Sequence, residues 1–116
     1  MNGLPKVVRE ERSPERCEFV ILVEAANPWF QGHFPQFAIL PGVVQIGWAE
    51  HYARTCYGFD GGIAALEQVK FKRPILPGAT LTLMLKPDLA ARKVRYEYRD
   101  TDTSYSTGIL NFGGAA

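Results

Sequence analysis

The side chains best suited to moving protons in this chain are His33, His51 and Glu50. His33 follows Gly32 and precedes Phe34-Pro35, in an irregular stretch of large apolar residues (29–40, WFQGHFPQFAIL). Imidazole titrates near neutral pH, so His33 can act as a general base. Taken alone, it reads first as a loop histidine bonded to backbone. Pro41-Gly42 opens a helix, whose first N–H groups lack intrahelical partners and carry the positive end of the dipole. Gly42 has no side chain to hold a ligand oxygen away from those donors. One such donor aimed at a developing negative oxygen is typically worth ~3–4 kcal/mol in a transition state. Glu50 lies four residues before Arg54, the spacing of an intrahelical ion pair, and is weighed equally as that pair and as a proton-transfer group. His51 reads as a polar residue on the helix face. Cys17 and Cys56 have no metal-ligand spacing and read as reduced thiols of a cytoplasmic protein. No metal cluster, nucleotide loop or nucleic-acid motif is visible, so no cofactor is expected.

The elements that must position these groups follow from hydrophobic period. The first 14 residues mix charge with two prolines and read as a loosely ordered leader before a single domain over 15–116. Residues 17–25 (CEFVILVEA) are β-branched and aromatic, and read as a buried strand. Asn27-Pro28 breaks it. The one convincing helix runs from Val43 to about Tyr57, with Gly58 as its stop signal. Ile46, Trp48, Ala49, Tyr52, Ala53, Cys56 and Tyr57 form its wide apolar arc. Gly47, Glu50, His51, Arg54 and Thr55 take the other arc. An arc this wide suits a helix enclosed by a sheet.

After the helix, period-2 alternation predicts strands with one buried face. Val69 and Phe71 alternate with Gln68, Lys70 and Lys72, and Pro77-Gly78 makes a turn. Leu81, Leu83 and Leu85 mark the next strand, and 86–92 read as a loop. Val94, Tyr96 and Tyr98 mark another strand. Residues 100–104 (DTDTS) turn the chain into a last strand over 105–112. One strand, one helix and four strands predict an α+β fold, an antiparallel sheet curled around one central helix.

Composition narrows the function classes. Hydrophobic residues make up 47% and charged residues 22%, an ordinary globular balance. A formal net charge of +1 provides no field toward nucleic acid or a membrane. No apolar run approaches the ~20 residues of a membrane span, so no membrane insertion is expected.

Two blocks carry a family resemblance. Gly32-His33-Phe34-Pro35 with Ile39-Leu40-Pro41-Gly42-Val43-Val44 resembles the His-Phe-Pro and Pro-Gly-Val elements of the 3-hydroxyacyl-acyl-carrier-protein dehydratase family. Residues 69–78 (VKFKRPILPG) are similar to that family's Phe-Arg-Arg-Pro strand and turn. The run 40–49 (LPGVVQIGWA) is nearest to a dehydratase-like subgroup associated with aryl-polyene-type lipid synthesis. The resemblance spans about residues 17–112. It implies the hot-dog fold and a homodimer, or a higher assembly of dimers, with composite sites. Each site takes a histidine from one subunit and an acidic residue from the partner's central helix.

The implied reaction dehydrates a (3R)-3-hydroxyacyl thioester of acyl carrier protein or coenzyme A to the trans-2-enoyl thioester. His33 would be the base. Gly42 and Val43 would receive the thioester oxygen, with Phe34, Pro35 and Gly47 lining the substrate site. The family acid falls five residues after the helix-start glycine, and here that position is Gly47. Glu50, one turn deeper, is the candidate replacement. Lys70, Lys72 and Arg73 read equally as a solvated strand face and as a patch for an acidic carrier protein. Gly47 also motivates an alternative, a catalytically weakened acyl-thioester binder or heterodimer partner. A hot-dog thioesterase is the last alternative, because thioesterases of this fold usually lack the His-Phe-Pro block.

Overall fold

The computed structural model describes residues 3–30 and 39–114. Its elements are β1 (Lys6–Arg12), β2 (Cys17–Leu22), a 3₁₀ turn (Pro28–Phe30), α1 (Gly42–Tyr57), β3 (Ala65–Phe71), β4 (Thr80–Asp88), β5 (Lys93–Arg99) and β6 (Ser104–Asn111). The six strands form one antiparallel sheet in the order β1-β2-β4-β5-β6-β3. Its concave face holds Phe19 and Ile21 of β2, Leu81, Leu83 and Leu85 of β4, and Val94, Tyr96 and Tyr98 of β5. Against these pack Val44, Trp48, Ala49, Tyr52 and Ala53 of α1. The Phe19 and Tyr52 rings meet at 4.6 Å between centroids. This is the sheet-around-helix arrangement that the hydrophobic periods predict.

The helix boundaries have local causes. Pro41 precedes the first turn in extended conformation, φ −59° and ψ 144°. Gly58 ends the helix in the left-handed region at φ 69°, its N–H donating to the Arg54 carbonyl at 2.8 Å. Pro77-Gly78 turns as expected: Gly78 has φ 88°, and the Ala79 N–H reaches the Leu76 carbonyl at 3.2 Å.

Four expectations change. Residues 6–12, read within a loose leader, form β1 and pair along β2 from Lys6↔Leu22 to Arg12↔Cys17. Nearly every side chain of β1 is exposed. Its stability therefore comes from ladder hydrogen bonds that leave no apolar period to read. β2 ends at Leu22, although Val23 continues inward through bonds to Ala79 and Gly78. The loop expected over 86–92 is shorter, because β4 runs on through Pro87↔Val94 and Asp88↔Lys93. β2 stops pairing at Leu85, so Pro87 lies where the strand has one neighbour and a missing N–H is tolerated.

In β3, a register shift between Glu67 and Lys70, with Gln68 at φ 51°, breaks the expected alternation. Val69 is half-buried and Phe71 is 53% exposed.

Candidate active site

The His33-Phe34-Pro35 element lies outside the described residues, so its placement is not part of the geometry below. The remaining candidates lie on α1 and the end of β3.

The first turn of α1 is held from the sheet side by a polar group buried in an otherwise apolar core. The Gln45 side chain is 3% exposed. Its Nε2 donates to the Leu40 carbonyl at 3.1 Å, and its Oε1 accepts from Ser106 Oγ at 2.7 Å. The Tyr98 hydroxyl donates to the Gln45 carbonyl at 2.6 Å. Burial pushes the Tyr98 phenol well above its ordinary range, so it stays a neutral donor. Three elements thus fix one helical turn: β5 through Tyr98, β6 through Ser106, and the approach to the helix through Leu40.

Two hollows flank that turn. The first, about 320 Å³, is a cleft lined by Ile39, Gly42, Gln45, Phe71, Lys72 and Arg73, among others. A Cβ at Gly42 would fall 2.6 Å from Phe71 Cζ, so the glycine admits the Phe71 ring against the helix start. Lys72 also donates from Nζ to Ser104 Oγ at 3.3 Å. Lys70 is exposed on β3 and does not line this cleft.

The second hollow, about 420 Å³, opens on the other side of the turn. Trp29, Trp48, Leu4, Val43 and Val44 give it apolar walls, and Gly47, Glu50, His51 and Arg54 line the rest. Nothing lies within 4 Å of a Cβ built on Gly47, so its missing side chain leaves open space. The N-terminal segment closes one side. The Gly3 carbonyl accepts from Trp48 Nε1 at 2.9 Å and Asn27 Nδ2 at 3.1 Å.

Glu50 forms the ion pair that its spacing predicts. One oxygen, Oε2, receives both Nε and Nη2 of Arg54 at 2.9 Å. Arg54 also donates from Nη1 to the Phe59 carbonyl at 2.9 Å and lies over the Phe112 ring, 5.0 Å from its centroid. His51 turns its ring edge-on to Tyr52, with centroids 4.9 Å apart at 88°.

The structure therefore brings Gly47, Glu50 and Val43 to one cavity, and Gly42, Lys72 and Arg73 to the neighbouring cleft. Gln45 and the Gly3-Leu4 wall were missed from sequence. A lone glutamine one position before the apolar arc was the available signal for the first. Among the described residues, no three His, Cys, Asp or Glu side chains converge as a metal site.

Comparison with known proteins places this geometry in a family. The family model described as ApeI dehydratase matches residues 9–109. The chain is similar to the 3-hydroxyacyl-[acyl-carrier-protein] dehydratase FabZ of Staphylococcus aureus (strain JH9), at 36% identity over 90 residues. That match covers 69% of this chain and 59% of the relative, so it spans less than two thirds of the curated enzyme's length. Among solved structures, a chain of the dehydratase heterocomplex ApeI:P from Xenorhabdus doucetiae superposes with a TM-score of 0.85 at 32% identity. That match covers 92% of this chain and 96% of the other. A protein from Erwinia carotovora subsp. atroseptica superposes with a TM-score of 0.78 at 32% identity, covering 93% and 94%. With its sheet wrapped around one helix and these matches along nearly its whole length, the chain belongs to the ApeI-like dehydratase family.

Proposed function

We propose that the chain is a dehydratase that converts (3R)-3-hydroxyacyl thioesters of acyl carrier protein to trans-2-enoyl thioesters, in fatty-acid-type or polyene lipid synthesis. One observation carries the reading. The first turn of α1 stands between a cleft rimmed by Lys72 and Arg73 and an apolar cavity walled by Trp29 and Trp48. A carrier-linked thioester has the same polarity: an anionic carrier and phosphate on one side, an apolar chain on the other, and the reacting carbonyl between them. The free N–H groups of the helix start are the donors suited to that carbonyl as it gains negative charge.

His33 is the proposed base for the C2 proton, and Glu50 and His51 are the two groups in the cavity able to serve the departing C3 hydroxyl. Phe34, Pro35 and Val43 line the substrate path, and Lys70 extends the cationic face toward the carrier. The protein works in the cytoplasm as a homodimer or an assembly of dimers, with His33 and the partner's helix forming one site. A coenzyme A thioester offers the same reactive group on a different carrier.

The test is enoyl-thioester formation from 3-hydroxyacyl thioesters, followed by mass spectrometry. Removing the base in His33→Ala should lower turnover by ~10²- to 10⁴-fold. Activity unchanged in that variant would refute the reading. A second reading, a partner subunit whose heterodimer mate supplies the carboxylate, is favoured by the open space at Gly47. It predicts turnover at or below the detection limit for the chain alone, and measurable turnover in Gly47→Asp.

A further inference from the structure

We infer that His51 supplies the second proton-transfer group of this site, taking the place of the acid absent at Gly47. The inference rests on the dehydratase reading above and goes beyond it by choosing between the two groups in the cavity. Side chains on a helix lean toward its N-terminus, over the turn before their own Cα. Four residues past Gly47, His51 is on the same helix face. Both residues line one cavity, and nothing lies within 4 Å of the position a side chain at Gly47 would take.

Glu50 is drawn the other way. Its carboxylate is bound one turn toward the C-terminus by two nitrogens of Arg54, and Arg54 is itself fixed by the Phe59 carbonyl and the Phe112 ring. To reach substrate, Glu50 would have to leave that brace. His51 has a ring already oriented by Tyr52 and makes no side-chain hydrogen bond among the described residues.

The step balances with two imidazoles. His33 takes the C2 proton, and the C2–H electrons form the C2=C3 double bond. The C3–O bond breaks, and protonated His51 gives its proton to the leaving hydroxyl, which departs as water. Solvent then carries the proton from His33 back to His51. In a dimer, the two groups come from different subunits.

The experiment uses the purified full chain with a 3-hydroxyacyl thioester. His51→Gln should lower kcat by ~10²-fold or more, with KM changed only a few-fold and the thermal melt unaltered. Added imidazole should restore part of the activity of His51→Ala, which a purely structural role for the residue would not allow. Full turnover in both His51 variants, or loss in Glu50→Gln alone, overturns the assignment and leaves the dehydratase reading standing. A wild-type chain with no turnover overturns both.

Discussion

Gly47 leaves open space in the cavity and gives up stability to do so. It occupies an exposed position in the middle of α1, where glycine costs ~1 kcal/mol relative to alanine, and a methyl group there would meet nothing within 4 Å. Gly47→Ala should therefore raise stability by about 1 kcal/mol in urea denaturation. Gln45 makes the opposite case. Its amide satisfies the Leu40 carbonyl and the Ser106 hydroxyl within the core. Replacement by leucine strands both partners, and each stranded buried group costs about 1–3 kcal/mol. Gln45→Leu should lower stability by roughly 2–4 kcal/mol on the same assay. Turnover should fall as well, because the helix start loses its side-chain tethers to β6 and to Leu40.

At the scale of elements, the β5–β6 turn is held by one carboxylate. The Tyr105 hydroxyl donates to Asp100 Oδ2 at 2.8 Å, and the backbone N–H groups of Asp102 and Thr103 donate to Oδ1 at 2.9 and 2.8 Å. These bonds, the tyrosine's first, hold the Asp100 carboxyl below its ordinary value. A depressed carboxyl stabilises the fold above its unfolded pKa of about 3.9, and that contribution fades as pH falls through the lower folded value. The stability gap between wild type and Asp100→Ala should thus be full at pH 7 and shrink below about pH 4, measured by urea denaturation across pH. The neighbouring ladder shows how tightly the elements fit. A Cβ on Gly108 would fall 2.7 Å from the Tyr96 ring, so β6 accepts no larger residue opposite that tyrosine.

Across the whole molecule, the two edges of the sheet differ in character. β1 closes one edge with Lys6, Arg9, Glu10, Glu11 and Arg12, charges that discourage further pairing. β3 closes the other and leaves Leu66 and Phe71 exposed, while Val43 stands 75% exposed at the helix start. Apolar residues on an unpaired edge favour a partner strand, and we propose this edge as the dimer face. Leu66→Lys should weaken self-association at least tenfold by sedimentation velocity, about 1.4 kcal/mol, and enoyl formation should fall with it.

The α+β class, the span of α1 and its glycine stop were legible because they rest on local signals: a 3.6-residue apolar period, a Pro-Gly start and a C-terminal glycine. The strands β4 and β5 were legible for the same reason, since each turns alternate side chains to the helix, whereas β6, which buries three residues in a row, was marked by the turn before it. The Glu50–Arg54 pair followed from spacing alone. Only the tertiary structure revealed β1, the bulge in β3 and the buried role of Gln45. β1 depends on the backbone of the next strand, β2, and the other two on partners far along the chain: the ladder of β6, and the hydroxyls of Tyr98 and Ser106. The division of the site into a cationic cleft and an aromatic cavity was decided at that level too. Trp29, Trp48 and the Gly3-Leu4 segment become neighbours of Gly47 only when the N-terminus crosses the helix and the Gly3 carbonyl accepts the Trp48 indole N–H. Periodicity reports which face of an element is apolar, whereas the shape of a cavity depends on which distant elements meet there.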